Sequence, residues 1–288
     1  MSVLTKSKMK INKISEHIGA EVTGIDLTQP IDAATRQELH KAAVDNIALV
    51  VRDQTFTPEQ FLAAGRLFGE PMDRDHLTYS IPGVPFVHEV SSRHRSKDGS
   101  IKKVGPRWHS DHTNKEYPPK FTCLYAVELP AKGGGTSIAN MRAGYASLPA
   151  ALKQRIDGRK TANVIVSSVV EYHNNDRLET QREKNPEPIF QPLVRTNPDT
   201  GGKAIYFHPT KTEFITGMEP VESQALIEEL LSYALQPKFI YSHEWRLGDL
   251  LLWDNRSALH KANYDYDPGD VSQHRLLYRM LIRGELPY

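Results

Sequence analysis

Two short segments carry side chains that together could bind a transition-metal ion. The first reads Trp108-His109-Ser110-Asp111 and has an extended character. Side chains two apart on a strand point to the same face, with Cα atoms roughly 6–7 Å apart. His109 and Asp111 could therefore bind one ion, while Ser110 would point the other way. Taken alone, a His-x-Asp pair is a weak signal in a chain with 12 histidines.

A third candidate ligand lies far along the chain. Residues 249–260 read Asp-Leu-Leu-Leu-Trp-Asp-Asn-Arg-Ser-Ala-Leu-His, which is typical of a buried strand that leaves the core near Asp254 and delivers His260 just beyond it. By itself His260 has the alternative interpretation of a solvated histidine after a turn. Combined with the first segment, it gives two imidazoles and one carboxylate, the facial set that leaves three positions open on non-haem Fe(II). Four-cysteine zinc is excluded, because the chain has one cysteine.

Open coordination positions need ligands, and the charge of the site indicates which. Fe(II) with one aspartate and two neutral histidines carries a charge of about +1, so it can accept the 2-oxo acid end of a dianion. The far carboxylate of that dianion would be buried and would need a cationic partner. The predicted strand 275–279 places Arg275 and Arg279 on the same face. Surface positions for both arginines are the alternative.

The elements that must position these residues belong to a mainly β chain with flanking helices. Three helices are predicted. The first spans 33–46 and has Asp32 as its N-cap. The second begins at the capping box Thr57-Pro58-Glu59-Gln60 and ends at Gly69, and the third spans Glu222–Leu235. Short strands without βαβ alternation favour a sandwich or barrel. The charged residues 171–192 predict a long surface loop. The predicted strands are Ile47–Arg52, Phe121–Leu129, Ala162–Val170, Ala204–His208, Phe239–His243, Asp249–Asp254 and Arg275–Arg283.

Composition is that of an ordinary globular chain and favours one domain spanning residues 1–288. The net charge of +1 gives no long-range field for collecting nucleic acid or an anionic membrane, so neither is an expected partner. No secretory signal opens the sequence, and no run approaches the ~20 apolar residues of a membrane span. We therefore expect a cytoplasmic enzyme. The single cysteine, Cys123, lies in an apolar alternating run, which predicts a buried small hydrophobe.

The sequence resembles the taurine/2-oxoglutarate dioxygenase family, which includes phenoxyacetate and alkyl sulfate ester oxygenases. The resemblance covers nearly the whole chain, and its motifs occur in the family's order and spacing. They are Ile18-Gly19-Ala20-Glu21-Val22-Thr23-Gly24-Ile25-Asp26-Leu27, Arg52-Asp53-Gln54, Phe68-Gly69-Glu70, Trp108-His109-Ser110-Asp111, Gly133-Gly134-Gly135-Thr136, Pro192-Leu193-Val194-Arg195-Thr196, Trp253-Asp254-Asn255-Arg256 and Gln273-His274-Arg275.

This resemblance implies a double-stranded β-helix (jelly-roll, cupin-like) core and a set of site residues. His109, Asp111 and His260 match the family's Fe(II) ligands. Thr136 and Arg275 match the residues that bind the carboxylate of the cosubstrate 2-oxoglutarate. Between His260 and Arg275 the spacing is longer than usual, and the excess falls in the turn sequence 267–270.

The sequence matches the substrate-binding residues of the taurine enzyme less completely than the metal and cosubstrate ligands. Arg279 stands where the taurine enzyme contacts its substrate anion, and it is also the alternative ligand for 2-oxoglutarate. His76 is the candidate for the taurine enzyme's substrate histidine, although the residues around it depart from that pattern. From the residues themselves, Tyr206, His208 and Lys211 could line the pocket.

The implied function is hydroxylation of a small organic acid with O2, with 2-oxoglutarate converted to succinate and CO2. Family halogenases replace the iron-binding carboxylate by a small residue, whereas this chain keeps Asp111. Relatives commonly form dimers or tetramers, so a homo-oligomer is expected. Two alternatives stay open: a non-oxidative metal-binding barrel, such as a zinc hydrolase or ligand-binding module, and a structural or regulatory protein. Hydrolysis, however, gives no reason for Thr136 and Arg275.

Overall fold

The computed structural model describes residues 9–73, 79–96, 98–165 and 187–288. The strands are β1 (Lys10–Lys13), β2 (Ala20–Thr23), β3 (Ala48–Val51), β4 (His88–Ser91), β5 (Phe121–Glu128), β6 (Thr136–Asn140), β7 (Lys160–Asn163), β8 (Ile189–Pro192), β9 (Val194–Thr196), β10 (Lys203–Ile205), β11 (Thr212–Ile215), β12 (Ile240–His243), β13 (Leu250–Asp254), β14 (Ala258–Ala262) and β15 (Leu276–Ile282). The helices are α1 (Ala33–Asn46), α2 (Pro58–Arg66), α3 (Met141–Ala146), α4 (Ala150–Ile156) and α5 (Pro220–Ala234), with 3₁₀ turns at Pro237–Phe239 and Val271–Gln273.

Helix starts follow the local signals in the sequence. The Asp32 side chain accepts a hydrogen bond from the backbone N–H of Thr35 at 2.7 Å. At α2, Thr57 Oγ1 accepts from Gln60 N, and Gln60 Oε1 accepts from Thr57 N at 2.8 Å, which completes the predicted capping box. Both helix starts are confirmed. The last helix, α5, begins at Pro220, two residues before the predicted start.

Two sheets form the body of the fold. The larger has seven strands in the order β1-β2-β3-β13-β5-β15-β4, antiparallel except for the parallel pair β2 and β3. The smaller has the order β12-β6-β14. Shorter groups, β11-β7-β8 and β10-β9, lie beside them. More of the described residues lie in strands than in helices, so the predicted mainly β fold with flanking helices is confirmed.

Alternation along the central strand β13 assigns each face of the large sheet to a different core. Leu250 and Leu252 are buried among residues of α1 and α2, which cover one face. Leu251 and Trp253 face the other way and pack with residues of β6 and β14. Because the two sheets meet on this second face, a cavity between them is walled by β5, β6, β14 and β15.

Several predicted elements differ from the observed ones. The charged segment 171–192 was expected to be a loop, but its last part, Ile189–Pro192, forms β8 by pairing with β7. Residues 171–186, the end of the predicted strand Ala162–Val170, and His76 lie outside the described residues. Cys123 is fully buried in β5, as predicted. Among the described helices, each is too short or too polar to cross a membrane.

Candidate active site

The three candidate metal ligands, distant in sequence, come together at one end of the cavity. His109 Nε2 lies 3.9 Å from Asp111 Oδ1, and His260 Nε2 lies 3.8 Å from Asp111 Oδ2. One possible ligand atom from each residue falls within 4.8 Å of the others. Asp111 and His260 are buried, and His109 is partly buried. This arrangement gives one carboxylate and two imidazoles a common point at which to bind an ion.

The local backbone differs from the simple strand that the His-x-Asp spacing indicated. His109 is paired only through an isolated bridge to His260, and the chain turns at Asp111 and His112, which has a φ of +50°. Ser110 does point away, and its hydroxyl donates to the carbonyl of Asn255 at 3.0 Å. His260 lies within β14 and not in a turn after β13, so its solvated alternative is wrong.

Burial favours the neutral form of both imidazoles, which is the form that a metal requires. His109 Nδ1 lies 2.8 Å from the carbonyl oxygen of Arg107, which can only accept, so Nδ1 carries the hydrogen and Nε2 keeps its lone pair. Burial lowers the pKa of His109 and lowers that of His260 well below the ordinary value. Neutral imidazoles are therefore favoured at neutral pH.

Asp111 is held as a carboxylate by its neighbours. Its Oδ2 accepts hydrogen bonds from the Thr122 hydroxyl at 2.6 Å and from the Arg279 guanidinium. Burial alone would raise the pKa of Asp111, but the adjacent Arg279 guanidinium holds that pKa well below its usual range. All three donor groups are thus deprotonated, as metal ligands must be. This nitrogen and oxygen donor set fits Fe(II).

A one-way chain of hydrogen bonds fixes Asp111 from behind. Trp253 Nε1 donates to Asn255 Oδ1 at 3.1 Å, Asn255 Nδ2 donates to Thr122 Oγ1 at 2.8 Å, and Thr122 donates its own hydrogen to Asp111. Because the indole can only donate, every later bond has a fixed direction. Sequence reasoning included Trp253 and Asn255 in a motif without a role and missed Thr122, which no spacing pattern connects to Asp111.

Thr136 and Arg275 lie on the same cavity as the metal ligands, which has an empty volume of about 470 Å³ including its mouth. Arg275 Nε donates to the carbonyl of Gly134 at 2.7 Å, and Nη2 lies 3.5 Å from Thr136 Oγ1. Arg275 is buried, and in the described part of the chain no carboxylate forms an ion pair with it. Burial lowers the pKa of Arg275, as expected for a desolvated cation. Such a group is well suited to bind an anion that enters the cavity.

The backbone of Gly105 forms the wall of the cavity beside the His109 imidazole. Gly105 has a φ of +63°, and a Cβ added there would lie 2.8 Å from His109 Cε1. Its carbonyl accepts a hydrogen bond from the N–H of Ala262 at 2.7 Å, which anchors this wall to β14. A residue without a side chain is therefore required for His109 to keep its position.

The candidate substrate residues are placed unequally. Arg279 lines the cavity but has one nitrogen on Asp111. His208 is buried, with its ring centroid 5.9 Å from that of His109, and its Nδ1 accepts a hydrogen bond from Thr210 N at 3.2 Å. Burial, together with the nearby ammonium of Lys211, lowers the pKa of His208 well below the ordinary value. The structure therefore brings His208 and Lys211 to the metal ligands.

Comparison with known families gives one match over most of the chain. Residues 10–281 match the model described as "Taurine catabolism dioxygenase TauD, TfdA family". The matched span includes all three candidate metal ligands as well as Thr136 and Arg275.

Individual relatives align over nearly their full lengths. An (S)-phenoxypropionate/alpha-ketoglutarate-dioxygenase from Sphingobium herbicidovorans is 31% identical, over 93% of this chain and 92% of the relative. An alpha-ketoglutarate-dependent sulfate ester dioxygenase from Pseudomonas putida is 29% identical, over 97% of this chain and 91% of the relative. The crystal structure of a taurine dioxygenase from Burkholderia xenovorans has a TM-score of 0.80 at 30% identity and covers 97% of this chain and 90% of that one. This structural match confirms the double-stranded β-helix core that the resemblance implied.

Proposed function

The chain belongs to the TauD/TfdA family of alpha-ketoglutarate-dependent dioxygenases, and from that premise we propose that it hydroxylates a small organic anion, with release of succinate and CO2. One observation carries the proposal. The His109, Asp111 and His260 triad opens onto a cavity that also contains Arg275, a buried cation that forms no ion pair with a carboxylate among the described residues. A metal site alone would not need this cation, whereas a dianionic cosubstrate does.

In this proposal the metal ligands and the cosubstrate ligands have separate tasks. His109, Asp111 and His260 hold Fe(II), which when bound supplies the activation of O2 and the oxidative decarboxylation of 2-oxoglutarate. Arg275 neutralises the far carboxylate of 2-oxoglutarate, and Thr136 donates a hydrogen bond to it. Fixing both ends of the cosubstrate keeps its 2-oxo acid group at the open side of the metal site.

The positive charge that remains in the site after Fe(II) and 2-oxoglutarate have bound favours an anionic substrate. Fe(II), Asp111, Arg275 and 2-oxoglutarate together sum to about zero charge, so Arg279 and Lys211 leave the site with a net positive charge. Lys211 lies near His208 and His109, and burial lowers its pKa. We assign Lys211 and His208, with the remaining N–H groups of Arg279, to the substrate anion. The named substrates of the relatives, a phenoxypropionate, sulfate esters and taurine, each carry an acidic group.

The other predictions have different outcomes. A zinc hydrolase or ligand-binding module and a structural protein are set aside, because the chain is a member of a dioxygenase family. A single domain over residues 1–288, a dimer or tetramer, a cytoplasmic location and a role for His76 stay predictions.

The experiment that tests the proposal is a substrate screen. Purified protein with Fe(II) and 2-oxoglutarate is incubated with sulfonates, sulfate esters, phosphonates and carboxylates, and succinate is measured with and without each compound. We expect at least one anionic class to stimulate succinate formation together with hydroxylated product. Stimulation by neutral compounds only would contradict the anion assignment.

A matched variant locates the anion site. Replacing Lys211 by Met keeps the length of the side chain and removes its charge, so KM for the substrate should rise about 10-fold or more while the dissociation constant of 2-oxoglutarate stays within twofold. An unchanged substrate KM would remove Lys211 from the site and leave the dioxygenase reaction intact.

A further inference from the structure

Trp245 contacts the cosubstrate pocket from outside the cavity. Its indole Nε1 lies 3.2 Å from Thr136 Oγ1 and donates a hydrogen bond to it. Trp245 is partly buried and follows β12, the strand that pairs with β6, in which His243 lies directly opposite Thr136. Nothing in the sequence pattern assigned Trp245 a role.

The direction of this hydrogen bond determines what the Thr136 hydroxyl can do. A hydroxyl oxygen has two lone pairs and one hydrogen, whereas indole and guanidinium groups can only donate. Trp245 Nε1 and Arg275 Nη2 both approach Thr136 Oγ1, at 3.2 and 3.5 Å, and therefore use its two lone pairs. Its own hydrogen is left to donate, and no group in the described part of the chain accepts it. Thr136 lines the cavity, so a ligand bound there could supply the acceptor.

Another series of hydrogen bonds in this molecule runs in the same direction, from an indole donor to a threonine hydroxyl. At the metal site the order is Trp253, Asn255, Thr122 and then the Asp111 carboxylate, each group donating to the next. At the cosubstrate site the order is Trp245 and then Thr136, and the chain stops at the cavity. In the first case an indole donor directs a threonine hydrogen at a carboxylate of the protein. In the second, the carboxylate has to come from the ligand.

The indole is itself fixed in place by a buried histidine. The His243 ring packs edge-on against Trp245, with centroids 4.6 Å apart and planes at 84°. His243 Nε2 lies 3.1 Å from Asp249 Oδ2, and its Nδ1 lies 2.7 Å from the Tyr241 hydroxyl. Asp249 is in turn paired with Arg52 at 2.6 Å. The indole therefore packs against a histidine of the three-stranded sheet, and that histidine contacts charged residues at the ends of strands in the seven-stranded sheet.

We infer that Trp245 is a positioning residue for 2-oxoglutarate: by donating to Thr136 Oγ1, it obliges the Thr136 hydroxyl to donate its hydrogen to the cosubstrate's far carboxylate. The inference rests on the proposed binding of 2-oxoglutarate by Thr136 and Arg275. Without the indole N–H, the hydroxyl could rotate, and its hydrogen would no longer be directed at the ligand.

A double-mutant cycle on cosubstrate binding tests the inference without turnover. The dissociation constant of 2-oxoglutarate is measured by calorimetry, anaerobically, with Zn(II) in the metal site. Trp245→Phe keeps a ring and deletes the donor, and should weaken binding about 3- to 10-fold. Thr136→Val keeps the shape and deletes the hydroxyl, and should weaken binding about 10- to 100-fold. In the Thr136→Val background, Trp245→Phe should change binding less than twofold, because the group it acts through is gone.

Each outcome has a distinct meaning. If Thr136→Val leaves binding within twofold, the proposed role of Thr136 fails and the inference fails with it. If Thr136→Val weakens binding but Trp245→Phe does not, the inference alone is overturned. Equal weakening by Trp245→Phe in both backgrounds would show that the indole acts by packing, which also overturns it. Thr136→Ser, which keeps the hydroxyl, should preserve the full effect of Trp245→Phe.

Discussion

His109 and His260 donate their backbone N–H groups to each other's carbonyl oxygens, at N···O distances of 2.9 and 2.8 Å. Two metal ligands that are distant in sequence are therefore joined by one antiparallel bridge. β14, which carries His260, also pairs with β6, which carries Thr136. The metal ligands and Thr136, the proposed cosubstrate ligand, consequently share one hydrogen-bonded framework, so little backbone ordering remains for metal binding to achieve.

Replacing Asp111 by Ala should abolish 2-oxoglutarate turnover, because it removes the carboxylate that joins the two imidazoles in the metal site. Metal binding and substrate-dependent succinate formation are the measurements. Asp157→Ala, at an exposed position after α4, is the matched control and should leave both unchanged. Full activity in Asp111→Ala would refute the assignment of the site.

Replacing Thr122 by Val should weaken metal binding about 10- to 100-fold, because it deletes the hydroxyl that donates to Asp111 at 2.6 Å. Zn(II) titration of the apoprotein is the measurement. Thr122→Ser keeps the hydroxyl and should bind metal with nearly wild-type affinity. If the two variants bind equally well, the hydroxyl does not support the ligand.

Replacing Gly134 by Ala should weaken 2-oxoglutarate binding, because the new Cβ would lie 3.1 Å from Arg275 Cδ and displace the guanidinium. Gly158 provides the control. Both glycines have positive φ, +71° and +66°, so both alanine variants should lose about 1–2 kcal/mol of folding stability. Only Gly134→Ala should also lose affinity, since a Cβ at Gly158 meets nothing within 4 Å. Thermal unfolding and calorimetry separate the two effects, and equal affinities would contradict the prediction.

The thiol of Cys123 should resist ionisation until strongly alkaline pH, because burial raises its pKa from 9.0 to about 12. The raised pKa means that its contribution to stability is complete below pH 9 and is lost as the pH rises toward 12. Burial also raises the pKa of Tyr241 to about 12, which acts in the same direction. Ultraviolet thiolate absorbance, measured as the difference from Cys123→Ala, should appear near pH 9 only in unfolded protein. A thiolate at that pH in the folded protein would contradict the burial.

Features encoded by neighbouring residues were predictable from the sequence, and those that depend on strand pairing were not. The capping box of Thr57 and Gln60 involves residues three apart, so the pattern determines the contact. The contact between Trp245 and Thr136 instead requires β12 to pair with β6 in one register, which neither segment specifies alone. The metal ligands could be predicted because metal-binding residue types occur at a recognisable spacing, His109 with Asp111, and because these residues and His260 match the motifs of the family. Their hydrogen-bonding supports, such as Thr122, carry no comparable signal.

The glycine wall beside His109 limits how this pocket can be redesigned. Any side chain at Gly105 would displace the His109 imidazole, so a substitution that reshapes the pocket at this position would also weaken metal binding. Directed evolution toward a new substrate should therefore find its useful changes elsewhere, at lining positions such as Val90 and Leu124 or near Lys211.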